Sequence, residues 1–173
     1  MRDDFRGGRY HAAQLTDESQ PIAAPDAAAR RLSRLHLRNG WIGVLLFAVL
    51  GIFLESLHAW KSPAYLGPGQ ETRRLMWTLA HAHGVGLSLV QIAFAATVPL
   101  AARRPLGDWR LASRLLNSAS VLMPLGFFLG GVAPYEGDPG LGVWLVPPGA
   151  ALLLTAVARI AWTVARPDPH RSR

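Results

Sequence analysis

Four long apolar blocks alternate along the chain with short polar connections rich in glycine and proline, and a polar stretch precedes the first block. Apolar runs near 20 residues predict helices long enough to cross the hydrocarbon core of a bilayer, about 30 Å thick. The blocks place these spans at about residues 41–58, 75–100, 114–133 and 141–165. Trp41 and Trp60 bracket the first as interface anchors, about 28 Å apart at the rise of an α-helix. Lys61-Ser62-Pro63 stops that helix, and residues 64–72, with Pro68 and Gly69, form a loop. The second span opens at Trp77 and ends before Arg103-Arg104-Pro105. A basic connection containing Trp109 then leads to the third, where Gly126 and Gly130 have the small-xxx-small spacing that lets helices approach closely. Pro134 to Gly140 is a turn-rich loop. Pro147-Pro148-Gly149, near the start of the fourth block, predicts either a kink or a helix that begins at Pro148.

Residues 1–24 hold almost no large aliphatic side chains and read as a disordered tail, since they cannot bury enough surface to offset ordering entropy. From Asp26, an N-cap residue type, to Arg38 the pattern predicts a basic helix with Leu32 and Leu35, lying on an anionic inner leaflet. Because the first apolar run begins only at Trp41, no cleavable signal peptide is expected. The organisation expected is a cytoplasmic tail and juxtamembrane segment (1–39), a transmembrane domain (40–166) and a short cytoplasmic tail (167–173). The fold class expected is an all-α integral membrane protein, a four-transmembrane-helix bundle with a disordered basic N-terminal tail.

Composition narrows the chemistry. Half of the 173 residues are hydrophobic, and the absence of cysteine excludes disulfides, thiolate metal sites, cysteine nucleophiles and CxxCH haem attachment. A net charge of +7 could suggest nucleic acid, but the arginines flank the apolar blocks and no folded soluble module is left to read a groove, so no nucleic-acid partner is expected. The partners expected are the lipid bilayer and either other membrane subunits or further copies of the chain. Arg2, Arg6, Arg9, Arg30, Arg31, Arg34 and Arg38 precede the first span; Arg103, Arg104, Arg110 and Arg114 lie in the middle connection; Arg159, Arg166, Arg171 and Arg173 lie at the end. Only Lys61, Arg73 and Arg74 fall in the other two loops. This bias predicts an inner, plasma membrane of a bacterium with both termini cytoplasmic. No internal repeat is evident, which disfavours an inverted-repeat transporter.

Candidate chemistry gathers at the outer end. His81 and His83 interrupt the second span, and a titratable side chain in hydrocarbon marks a functional site by default. Counting inward from Trp60 and Trp77, Glu55, His58, His81 and His83 share one layer, each within about 9 Å of its aromatic anchor. Glu55 and His58, at i and i+3, share a helix face; His81 and His83, at i and i+2, diverge by about 200°. A copper or zinc site would take Glu55, His58 and His81, with Met76 as a soft extra ligand for copper. The alternative has Glu55 and His58 reaching water at the interface while His81 bonds a backbone carbonyl. Haem would need axial histidines on different helices, with His81 and His83 as the candidate cofactor-binding residues. The His81-Ala82-His83 pair resembles, over those three residues, the helix of haem-copper oxidase subunit I whose two histidines serve opposite sides, and that resemblance implies haem or copper.

A di-iron bundle would require Glu-x-x-His on two helices, and only Glu55-Ser56-Leu57-His58 occurs. A proton or ion path would run from Glu55 and a histidine through Ser88, Gln91 and Asn117, although Gln91 and Asn117 also suit hydrogen bonding between helices. Phosphate loops, GxSxG and HExxH are absent. The function expected is a small membrane protein with a His/Glu metal- or haem-binding site near the outer face, a subunit of a redox complex in electron transport. The alternatives are a non-catalytic structural or assembly subunit and a proton or ion path.

Overall fold

The computed structural model describes residues 27–100 and 106–166. The expected tail, the cap at Asp26 and the final segment 167–173 lie outside them. Five α-helices follow one another: α1 (Ala27–Ala59), α2 (Pro63–Leu66), α3 (Glu71–Leu100), α4 (Leu106–Val132) and α5 (Val146–Ala165), the last entered through a 3₁₀ turn over Leu141–Leu145. Four of them are long and apolar enough to cross a membrane.

α1 differs from the expectation of an interfacial helix followed by a separate span. It runs unbroken for 33 residues, about 50 Å. The Asn39-Gly40 pair does not interrupt it, because Gly40 serves a different purpose. A Cβ there would stand 2.9 Å from the Ser88 carbonyl oxygen and 3.2 Å from the Ile92 nitrogen, so the bare backbone lets α1 press against α3. The helix ends where Lys61 turns left-handed at φ 50°. The Lys61 amide donates to the His58 carbonyl and the Ser62 amide to the Leu57 carbonyl, the paired bonds of a Schellman stop. Pro63 then opens α2, where its missing donor costs nothing.

α4 begins earlier than the apolar block indicated, so Trp109 belongs to a helix rather than to a connection. Its indole is buried at 2% exposure beside Phe94, ring centroids 5.8 Å apart, in a core shared with Ala29, Val98, Leu116 and Ala156. At the other end of α4 the last three carbonyls find donors from other elements: Gly130 from the Gly140 amide, Gly131 and Val132 from the Arg73 guanidinium. The same guanidinium bonds the Ala64 carbonyl and lies over the Trp77 ring. Tyr135 and Asp138 exchange amide bonds across a tight turn whose central residues, Glu136 and Gly137, have φ of 49° and 92°, the type I′ pattern.

Pro147 and Pro148 sit in the first turn of α5 rather than at a kink. Their missing amides fall where a helix has no internal acceptors to offer.

The helices pack as a row, not a ring: α1 lies along α3, α3 along α4, and α4 along α5, while α1 touches α4 at few points and does not meet α5. α3 and α4 therefore bury a larger share of their residues than the flanking pair. The outward faces of α1 (Leu45, Val49, Ile52, Phe53) and of α5 (Leu154, Val157, Trp162) stay exposed. Helix directions bring the start of α1, the end of α3, the start of α4 and the end of α5 together at one arginine-rich end.

Candidate functional site

At the far end, the four residues expected to share a site are dispersed. Glu55 and His58 are exposed, and among the described residues no three of His, Asp and Glu converge where one metal ion could be held. His81 turns toward α1, where its Nδ1–H donates to the Phe47 carbonyl at 2.7 Å. That carbonyl lies one helical turn before Gly51, and a Cβ at Gly51 would be 2.9 Å from the imidazole Nδ1; the bare glycine opens the path to it. Phe47 fills the matching gap on α3, its ring occupying the space a side chain at Gly84 would need. His83 turns the other way: its Nδ1–H donates to the Leu79 carbonyl of its own helix at 2.9 Å, and its ring lies 4.7 Å from that of Phe127 on α4. The i, i+2 spacing separates the two imidazoles onto different neighbours. Met76 is buried on the α4 side, near Gly130 and Gly131. Trp77 stacks between Tyr65 and Phe128 and donates its Nε1–H to the Phe128 carbonyl.

The densest polar chemistry is elsewhere, toward the arginine-rich end, where α1, α3 and α4 meet. His36 is fully buried. Its Nδ1–H donates to Gln91 Oε1, and its Nε2 accepts from the Ser113 hydroxyl at 2.7 Å and from Asn117 Nδ2 at 3.4 Å, a pattern that assigns the Nδ1–H tautomer. Gln91 Nε2 in turn donates to Asn117 Oδ1 and to Ser120 Oγ, each at 3.1 Å. Asn39 Nδ2 reaches the same Asn117 oxygen at 2.9 Å. The Phe94 ring meets the imidazole edge on, centroids 4.5 Å apart. His36, Gln91, Asn117 and Ser120 each use both donor and acceptor capacity, and the bonds that join them link α1, α3 and α4. In an apolar surround such bonds fix helix order and register.

Beyond this network α1 and α4 part, and a groove of about 630 Å³ opens between them with α3 as its floor. Ser88 and Gln91 give the floor polar atoms, Asn117 and Ser120 add others on the α4 wall, and Ile42, Leu46, Val121 and Phe128 make the walls apolar. Pro124 lines it too; its missing amide leaves the Ser120 carbonyl without its helical donor.

Sequence reasoning singled out Gln91 and Asn117 but passed over His36, which sits in a basic segment that reads as interfacial. The signal was present in spacing: Ser33, His36, Gly40 and Gly43 recur at three and four residues, marking one face of α1 with small or polar groups.

Comparison with protein-family models, with curated proteins and with solved structures finds no match for this chain.

Proposed function

We propose that this chain is an integral membrane protein with a structural or assembly role, a four-helix scaffold that presents the outer faces of α1 and α5 to lipid or to partner helices. One observation carries the reading: the buried and half-buried imidazoles of α1 and α3 are engaged within the chain, His81 and His83 on main-chain carbonyls and His36 in a polar network between helices. Polar groups arranged in this way hold helices together. The arginine bias supports an orientation with both termini cytoplasmic.

The test is a visible spectrum and elemental analysis of the full chain purified in mild detergent. On this reading the protein is colourless and carries no stoichiometric metal. A haem band, or copper or zinc at one equivalent that His81→Ala removes, would replace it with the metal- or haem-binding role. A second reading, a proton path, draws on the continuous bonds from His36 through Gln91 to Ser120. It requires that vesicles containing the protein leak protons faster than empty ones and that His36→Phe stop the leak.

A further inference from the structure

The seam between α1 and α4 carries a second depression, end to end with the groove. It lies at the arginine-rich end and is lined by Arg31, Arg34 and Arg38 of α1 and Arg110 of α4, together with Leu32 and Leu35. All four arginines are exposed, and none has an acidic partner among the described residues. On α1 the two depressions follow one helical stripe: Leu35, Asn39, Ile42, Leu46 and Leu50 recur at three or four residues. On α4 the matching stripe runs through Arg110, Asn117, Val121, Pro124 and Phe128. The Asn39–Asn117 hydrogen bond joins the two helices where the depressions meet.

Resting on the reading of the chain as membrane-spanning, we propose that this seam seats one anionic phospholipid. Its phosphodiester lies among Arg31, Arg34, Arg38 and Arg110, and one acyl chain lies in the groove toward Phe128. Charge selects the headgroup, because four guanidinium groups around one depression complement a phosphate and leave a neutral surface no advantage. Length selects the tail: from Asn39 to Leu50 the groove rises about 16 Å, close to the half-thickness of about 15 Å that one leaflet's chains fill. The polar atoms of Asn39 and Asn117 fall between, at the level of the ester linkages.

The experiment uses the full chain, stripped of lipid in dodecyl maltoside, offered equal amounts of dioleoyl phosphatidylglycerol and dioleoyl phosphatidylcholine and read by native mass spectrometry. One phosphatidylglycerol should be retained in preference to phosphatidylcholine. Each arginine near an anionic headgroup contributes about fivefold, so R34Q/R110Q should cut that preference about 25-fold, whereas K61Q, just past the far end of α1, should leave it unchanged. V121W, at an exposed groove position, should weaken retention of the lipid without altering the charge that faces it. Equal retention of both lipids by the parent overturns the proposal, and this competition decides alone if R34Q/R110Q does not fold. Inorganic phosphate displacing the lipid as effectively as free phosphatidylglycerol would also overturn it, since the groove would then contribute nothing. Failure of the membrane reading itself would look different: the chain would stay in solution without detergent.

Discussion

At the scale of single residues, the far-end histidines and the glycines facing them form one device. Gly51 gives His81 access to the Phe47 carbonyl, and Gly84 gives Phe47 room to lie against α3. Gly51→Ala should destabilise the protein by about 1–3 kcal/mol through overpacking. His81→Ala should cost about 0.5–2 kcal/mol through the lost bond between helices. The two effects should not add: with His81 truncated, the alanine at 51 meets little, so its penalty should fall well below the single-variant value. Unfolding titrations in mixed micelles measure all three variants, and an undiminished penalty in the double variant would show that the residues do not face one another. The same logic applies to the buried network. A cycle of His36→Phe and Gln91→Leu should return a coupling of about 0.6–1.7 kcal/mol, because each single change strands the other partner without its bond.

At the scale of elements, helix ends are where this fold spends its specific contacts. Arg73 was legible in sequence only as one charge in a loop, yet its three nitrogens reach carbonyls of Ala64, Gly131 and Val132 and so tie the end of α4 to α2. Arg73→Met keeps the apolar stem and loses the donors; it should lower stability by about 0.5–1.5 kcal/mol. Arg74→Met, which removes the same charge from the neighbouring position, should change stability by less than about 0.5 kcal/mol. If the two variants behave alike, charge rather than carbonyl capping is what the far end requires. Lys61, the left-handed residue of the α1 stop, offers the opposite sign. Lys61→Gly should stabilise by about 0.5–1 kcal/mol, since glycine adopts that conformation without the Cβ penalty.

For the whole molecule, the row of helices has a consequence that a closed ring would not. The outer faces of α1 and α5 stay apolar and unburied, which suits hydrocarbon or further helices and would be a liability in water. The proposed orientation is checked by two reporter fusions. One placed after Arg173 should be active only in the cytoplasm, and one inserted in the Glu136-Gly137 turn only outside it, because fifteen of the eighteen arginines and lysines lie on the side of the termini. Activity of the Arg173 fusion outside the cytoplasm would reverse the molecule and move the proposed phospholipid seat to the outer leaflet.

The sequence by itself determined the number of long helices and the end at which positive charge collects, because block hydrophobicity and the placement of arginine act locally along the chain; it did not set where α1 and α4 begin. It also separated His81 from His83, since i, i+2 spacing on a helix admits no common neighbour. Only the tertiary structure decided that Gly40 continues α1, that Pro147 and Pro148 begin a helix rather than bend one, and that His36 is buried while Glu55 and His58 are exposed. The reason is the same in each case. A glycine, a proline or a histidine takes its meaning from what packs opposite it, and those neighbours, Ser88 against Gly40 and Gln91 against His36, lie about fifty residues away in the chain.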